Sequence, residues 1–191
     1  MIKEIIKAIM SVICFVLLIP LFILYRIRIF AFLSSSQLLS LIPGFFGIML
    51  RRVWYKCTLA ECGKNFTVDF MGVMRTPKSK VGNDVYVGVN TFVGWADIGD
   101  DTMLSGYVLV LSGGAQHGTT RLDIPMRLQE GKVEHIIIGK DCWIGAGSII
   151  LTDIADNSVV GSGSVVTKKF SQFDIIAGVP AKKIKSRKNQ E

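Results

Sequence analysis

Histidine is scarce in this chain of 191 residues: there are two, His117 and His135. Cysteine is scarce as well. There are four, and none of their spacings is a usual zinc spacing: Cys57 and Cys62 are five apart with no histidine nearby, while Cys14 and Cys142 stand alone. No metal site is expected on this pattern, and reduced thiols in a cytoplasmic domain are the expectation. The formal net charge is +7, and basic residues gather near the C-terminus at Lys182, Lys183, Lys185, Arg187 and Lys188. Aromatic residues, which a single-stranded nucleic-acid surface interleaves with its cations, are missing from that tail, so nucleic acid is not an expected partner. The tail reads as a solvated or lipid-facing segment, or as a rim that binds phosphate.

What the chain does have is a period of six. An aliphatic residue, usually followed by a small or polar one, recurs at Val81, Val87, Val93, Ile98, Leu104 and Val110, and again at Ile138, Ile144, Ile150, Ile154, Val160 and Val166. A helix repeats at 3.6 and a half-buried strand at 2, so neither accounts for it. Short strands that each bury one aliphatic side chain and then turn a corner do, with about 18 residues closing one triangular coil. Thr91, Thr102, Ser148, Ser158 and Ser164 recur four positions after the aliphatic residue and suit a tight corner. Ordinary hairpins with glycine turns would not hold the register over so many units. Between Val110 and Ile138 the register stops, and residues 113–133 form a polar loop too long to be a mere connection.

The N-terminal part is of a different kind. Ala8 to Tyr25 is almost purely apolar, broken by Ser11 and Pro20, with Lys3 and Lys7 before it and Arg26 and Arg28 after it. A spanning helix, a signal peptide and a re-entrant or interfacial segment bent at Pro20 all compete. Cations at both ends favour keeping both ends on the cytoplasmic side, which a re-entrant or interfacial segment does. A second apolar block, residues 38–50, is too short to span. It reads as an interfacial helix pair with Arg51 and Arg52 at the headgroups, or as a cap on the open end of the coil; the two are compatible. The expected division is a membrane-associated helical segment over 1–55, a repeat domain over 56–186 and a basic tail over 187–191.

His117, flanked by glycines at the start of the loop, is the candidate for chemistry. A neutral imidazole there can take the proton of a hydroxyl as it attacks a thioester, with the amides of Gly113, Gly114 or Gly118 donating to the oxyanion. His135 is the weaker candidate.

Residues 143–148 (Trp-Ile-Gly-Ala-Gly-Ser), 156–168 and 177–182 (Ala-Gly-Val-Pro-Ala-Lys) resemble the hexapeptide-repeat acyltransferases, a family that includes maltose and galactoside acetyltransferases and polysaccharide O-acetyltransferases. The resemblance extends over residues 64–186. It implies an all-β left-handed parallel β-helix, here with an N-terminal membrane-associated α-helical segment, and a homotrimer with acetyl-CoA in a cleft between subunits. By the same resemblance, Ala146 and Ser162 meet the pantetheine arm, and Thr167 and Lys168 its distal part. Pro180 and Ala181 pack on the adenine, and Lys182 meets the 3′-phosphate with Lys185 beside it. Trp143 is expected to pack. Asn90, Asp97 and Asp123 are polar candidates for the acceptor side. The sequence departs from the family at Thr152-Asp153, where a turn is shortened, and in the Gly-Gly-Ala-Gln-His-Gly setting of His117.

These readings converge on an acetyl-CoA-dependent O-acetyltransferase with its catalytic domain facing the cytoplasm, His117 as base and no metal. The expected acceptor is a lipid-linked or nucleotide-linked glycan. N-acetylation of an amino sugar and a non-catalytic scaffold of a membrane complex are the alternatives.

Overall fold

The computed structural model describes residues 2–189; the side chains of Ile2, Lys3, Glu4 and Asn189, and the tail beyond Asn189, lie outside what it describes. Three helices, α1 (Ile2–Arg26), α2 (Phe32–Ser40) and α3 (Gly44–Thr58), precede a run of very short strands. Helix α1 continues through Pro20, so the expected re-entrant bend at that residue is absent. Proline removes one backbone donor from the ladder, but the segment after it is held by aromatic packing. Phe22 stacks on Trp54 at 5.4 Å and Tyr25 meets the same indole edge-on at 5.4 Å. The stretch Ile5–Arg26 has a mean hydropathy of 2.8 and is long and apolar enough to cross a membrane. Among the described side chains of α1, Cys14 and Leu18 are the buried ones; Ile9, Val12, Ile13, Val16 and Leu17 face outward.

Helices α2 and α3 close the open end of the repeat. The aromatic chain Phe32, Trp54, Tyr55, Phe66 runs from the helices into the first coil. Arg51 is not at a headgroup surface, as expected, but fully buried. Its Nε donates to Val68 O at 2.9 Å, and its Nη1 to Leu39 O at 2.9 Å and Ile42 O at 2.8 Å. Carbonyls at a helix C-terminus and at the end of a strand keep capacity to accept, and the buried guanidinium donates to three of them at once. Arg52 makes a second tie, to Phe66 O at 2.8 Å and Thr67 Oγ1 at 2.7 Å.

The first coil is β1 (Glu61–Cys62), β2 (Thr67–Val68) and β3 (Val73–Met74), and the second is β4 (Lys80–Val81), β5 (Tyr86–Val87) and β6 (Phe92–Val93). The third is β7 (Ala96–Ile98), β8 (Met103–Leu104) and β9 (Leu109–Val110); the fourth is β10 (Ile136–Ile138), β11 (Trp143–Ile144) and β12 (Ile149–Ile150). A fifth consists of an isolated bridge at Ile154 with β13 (Val159–Val160) and β14 (Val165–Val166). The strands stack, all parallel, into three faces: face A is β1-β4-β7-β10, face B carries β2-β5-β8-β11-β13, and face C is β3-β6-β9-β12-β14. The chain ends in β15 (Asp174–Gly178), parallel on β13, and β16 (Ala181–Ser186), antiparallel on β15.

All twelve aliphatic residues of the six-residue period are buried on the axis. The repeat also begins one coil earlier than Val81, with Cys62, Val68 and Met74 at the same positions. Coil length shrinks along the prism. Stacked residues are 19 apart at the first step, 17 at the second and 16 at the last, with a 40-residue step where the long loop leaves.

Two edges turn through left-handed residues. Asn65, Asp84, Asp101, Asp141 and Asn157 form the column between faces A and B, and Met71, Asn90, Tyr107, Gly147 and Gly163 the column between B and C. Short polar side chains tolerate this conformation best, which explains the first column and places Asn90 in the second. Carboxylates and amides cap the layer below: Asp97 Oδ1 accepts the Lys80 N–H, Asp153 Oδ1 the Ile137 N–H and Asp156 Oδ1 the Lys140 N–H.

Candidate active site

His117 sits on the loop that joins β9 on face C to β10 on face A, and its side chain is exposed. The loop is built as an outgoing and a returning arm. Lys132 donates to Ala115 O at 2.7 Å and Glu134 to Ser112 O at 2.9 Å. Two residues that sequence reasoning missed set its shape. Gln129 is buried inside it; its Nε2 donates to Arg121 O at 2.7 Å and Ile124 O at 3.1 Å, and its Oε1 accepts the Arg121 N–H at 3.1 Å. Gly131 lies directly behind the histidine: a Cβ there would stand 2.0 Å from Gln116 O and 2.5 Å from His117 N. Any larger residue would push His117 off its place. Of the three candidate oxyanion donors, the Gly113 amide is engaged by Leu111 O. The amides of Gly114 and Gly118 donate to no backbone carbonyl among the described residues.

His135 is set differently. Its ring lies 5.0 Å from that of Trp95, and its Nε2 is 3.1 Å from Asp97 Oδ1, though not aligned for a hydrogen bond. Asp97 already holds the Lys80 amide at 2.8 Å, and Lys78 sits over the other ring of this group, Trp95, at 5.5 Å. Below the loop His135 and Trp95 line a cleft together with Lys132, Asp153 and Lys169. Lys169 Nζ reaches Asp153 Oδ2 at 2.7 Å. Burial raises the Asp153 pKa, but the Lys169 ammonium and the Ile137 amide outweigh it and hold the carboxyl below its usual range. Asp123 is far more open and pairs with Arg121 of its own loop, which also lowers its pKa.

The residues expected to hold the cofactor fall on two edges. Ala146 and Ser162 stack in the turns after β11 and β13, on the edge between faces B and C, where Gly163 donates to Ala146 O at 2.8 Å. Both are exposed. Asn90 lies on this same edge. Thr167 and Lys168 follow β14 and lie on the edge between C and A, the one from which the His117 loop leaves. Lys182 and Lys185 are exposed on β16, and neither makes a hydrogen bond or ion pair among the described residues, whereas Lys183 pairs with the buried Asp174. Pro180, after a cis peptide bond, is exposed; Ala181 is buried. Arg187 is tied to Asp141 and to Asn157 O at 2.9 Å, so the basic tail starts out anchored.

Trp143 is half exposed on face B, donating its indole N–H to Ser105 Oγ at 3.2 Å. It forms an outward column with Tyr86 and Met103, while Phe92, Leu109 and Ile149 form another on face C. Two apolar columns thus flank the edge that bears Ala146 and Ser162.

Residues 135–168 match the family model described as the hexapeptide repeat of succinyl-transferase. The chain is 29% identical over 164 residues to a putative lipopolysaccharide biosynthesis O-acetyl transferase, WbbJ, of Escherichia coli K12, covering 72% of this chain and 84% of that protein. It is 26% identical over 144 residues to a dTDP-4-amino-4,6-dideoxy-D-glucose acyltransferase of Escherichia coli, covering 70% and 75%. A shorter match, 40% over 62 residues, joins it to a chloramphenicol acetyltransferase of Klebsiella aerogenes and spans 31% of this chain but only 30% of that protein. Several of the curated relatives are matched in this way, over less than a third of their length. In three dimensions the chain superposes on a hexapeptide-repeat acetyltransferase of Vibrio cholerae with a TM-score of 0.68 at 22% identity, over 82% of this chain and 90% of the other. In repeat and fold the chain is similar to the hexapeptide-repeat acyltransferases.

Proposed function

We propose that this chain is an acetyl-CoA-dependent O-acetyltransferase that works at a membrane surface on a sugar hydroxyl of a lipid-linked or nucleotide-linked glycan. One observation carries the reading: an exposed histidine held on a braced loop, together with an open edge of small residues that leads to two cations. The His117 imidazole takes the acceptor's hydroxyl proton as the oxygen attacks the thioester carbonyl carbon. The tetrahedral intermediate then collapses, the carbon–sulfur bond breaks, and the proton passes to the departing CoA thiolate. The free amides of Gly114 and Gly118 are suited to the oxyanion. Ala146 and Ser162 let the thin pantetheine arm lie against the coil, with Lys182 and Lys185 at the phosphate end.

Within one chain His117 and this edge are separated by face C. The reading therefore includes a homotrimer, whose threefold packing brings the loop of one copy to the edge of the next. The exposed apolar columns of faces B and C are what such contacts would bury. Helix α1 supports membrane association. Its C-terminal end packs on Trp54 and Phe32, and Lys7 and Ser11 line a cavity together with residues of the first coil, so it lies alongside the domain rather than standing clear of it. That favours α1 lying along the bilayer surface, with the repeat domain on the cytoplasmic side where acyl-CoA is.

A second reading, N-acylation of an amino sugar, is favoured by the likeness to the dTDP-amino-sugar acyltransferase. The test for both is CoA release by detergent-solubilised protein with lipid-linked sugars, nucleotide sugars and nucleotide amino sugars. The expected result is turnover with a hydroxyl acceptor that disappears in His117→Ala. Turnover with amino sugars alone would favour the second reading, and equal rates in both proteins would remove His117 as the base.

A further inference from the structure

The edge between faces B and C changes character along the prism. Its left-handed column holds Gly163 and Gly147 in the fifth and fourth coils, then Tyr107, Asn90 and Met71 in the third, second and first. On the edge between faces A and B, Asn or Asp takes the same conformation in all five coils, so the conformation alone does not demand glycine. Space does not demand it either. A Cβ at Gly163 would meet nothing within 4 Å, and one at Gly147 only Gly163 N at 4.0 Å. What glycine supplies at these two steps is a surface without a side chain. Tyr107 does the opposite. A bulky aromatic residue at φ 61° is a costly occupant of the left-handed region, and its side chain gains little burial in return, being 62% exposed. Its backbone is fixed: the Tyr107 N–H donates to Val89 O at 2.8 Å, and Gly106 O accepts the Gly147 N–H at 3.1 Å. Val89 of the coil below closes the step, since a Cβ on Gly106 would stand 2.9 Å from Val89 Cγ1.

Heights along the axis agree with this. Neighbouring strands of a sheet are about 4.8 Å apart. Descending from Lys182 on β16, the edge passes Ser162 after β13 and Ala146 after β11, and reaches Gly106 and Tyr107 after β8. The loop that bears His117 leaves β9 and returns into β10, at the step between the same third and fourth coils. Copies packed side by side about a threefold axis keep each coil level with its counterpart, so the loop of one copy comes to the edge of the next between Ala146 and Tyr107.

We infer that Tyr107, backed by Val89, ends the donor groove and limits the donor to a short acyl group. The inference rests on this edge being the donor site, as proposed above. A pantetheine arm whose phosphate end is held at Lys182 points its thioester down the edge, and the acyl group faces the phenol ring. An acetyl group ends there, whereas each further methylene must enter the volume that the ring occupies.

Calorimetric titration of the full-length, detergent-solubilised protein with CoA, acetyl-CoA and butyryl-CoA tests this without an acceptor. Wild type should bind butyryl-CoA about tenfold more weakly than acetyl-CoA, the discrimination that a methylene produces in an apolar pocket. Tyr107→Gly removes the ring and suits the left-handed backbone; it should bind the two thioesters equally, with its affinity for CoA unchanged. Tyr107→Asn, also compatible with that backbone, should lose the discrimination too, which guards against a glycine variant that folds poorly. Tyr107→Phe should keep the wild-type ratio, because the ring rather than the hydroxyl is the stop. Met71→Gly, at the same conformation two coils further down, should keep it as well. Equal affinities in wild type, or a ratio that survives both Tyr107→Gly and Tyr107→Asn, would overturn the inference and leave the donor edge standing. A ratio that Met71→Gly abolishes too would overturn it by tracing the effect to the edge as a whole. Binding of none of the three ligands by wild type would overturn the donor reading and the inference together.

Discussion

His117 and Ala146 stand on different edges of the same prism: the loop that carries His117 bridges faces C and A, and the turn that carries Ala146 bridges faces B and C. A base on one edge cannot meet a thioester laid along the other, because the strands of face C intervene. On the function proposed above, that separation calls for the edge of a second copy to complete the site.

The phosphate end of the cofactor run gives a prediction that does not depend on the acceptor. Lys182 and Lys185 are exposed and unpaired, whereas Lys183 is occupied by Asp174. Lys182→Gln should raise the KM for acetyl-CoA about tenfold, the worth of one charge-assisted hydrogen bond. It should leave the KM for 3′-dephospho-acetyl-CoA unchanged, and Lys183→Gln should do neither. Steady-state kinetics with the two donors check it.

Arg51 ties the helical cap to the coil, donating to the carbonyl of Val68 in the coil and to those of Leu39 and Ile42 in the cap. Arg51→Ala removes the side-chain donor from all three carbonyls and opens a cavity. Stability should fall by about 3 kcal/mol or more, and Arg51→Lys should recover only part of it. Urea unfolding in detergent, followed by circular dichroism, reads the difference.

The Asp153–Lys169 pair predicts an acid-limb effect. The Asp153 pKa is depressed in the folded chain: burial works against this, and the Lys169 ammonium and Ile137 amide prevail. Stability from this pair is therefore complete above the unfolded carboxyl value of about 4 and is lost as pH falls through the lower folded value. Both side chains are partly in water, so the effect is small. Asp153→Asn should lower Tm by about 2–4 °C at pH 6, and the two melting curves should converge as pH falls through the depressed folded value. A Tm difference that persisted at low pH would assign Asp153 another role.

The prism was legible because its signal is carried by side chains. Val81 through Val166 mark the axis directly, since each coil must bury an aliphatic residue and turn on a small one. The first coil was harder to see, because Cys62 and Met74 occupy positions that elsewhere hold Val, Ile or Leu and Met71 turns a corner where Gly would have announced it. Arg51 was misplaced for a physical reason. Its partners are backbone carbonyls, and a carbonyl is the same group whatever residue bears it, so nothing in the sequence points to it. Gln129 escaped notice for the same reason. His117 was visible from its glycine-rich setting, but its edge was not, because the 40-residue step across the loop breaks the count that would have assigned it to a face.

The measurement that tests the account most directly is subunit complementation. His117→Ala and Ser162→Trp, each inactive alone, are co-expressed with different affinity tags, and mixed assemblies are purified and assayed for acetyl-CoA turnover. If the loop of one copy meets the edge of the next around a trimer, each mixed assembly has one interface in three that pairs an intact loop with an intact edge, and about a third of wild-type activity should return. Mixed assemblies as inactive as their parents would contradict a site shared between copies and would return both residues to separate or structural roles.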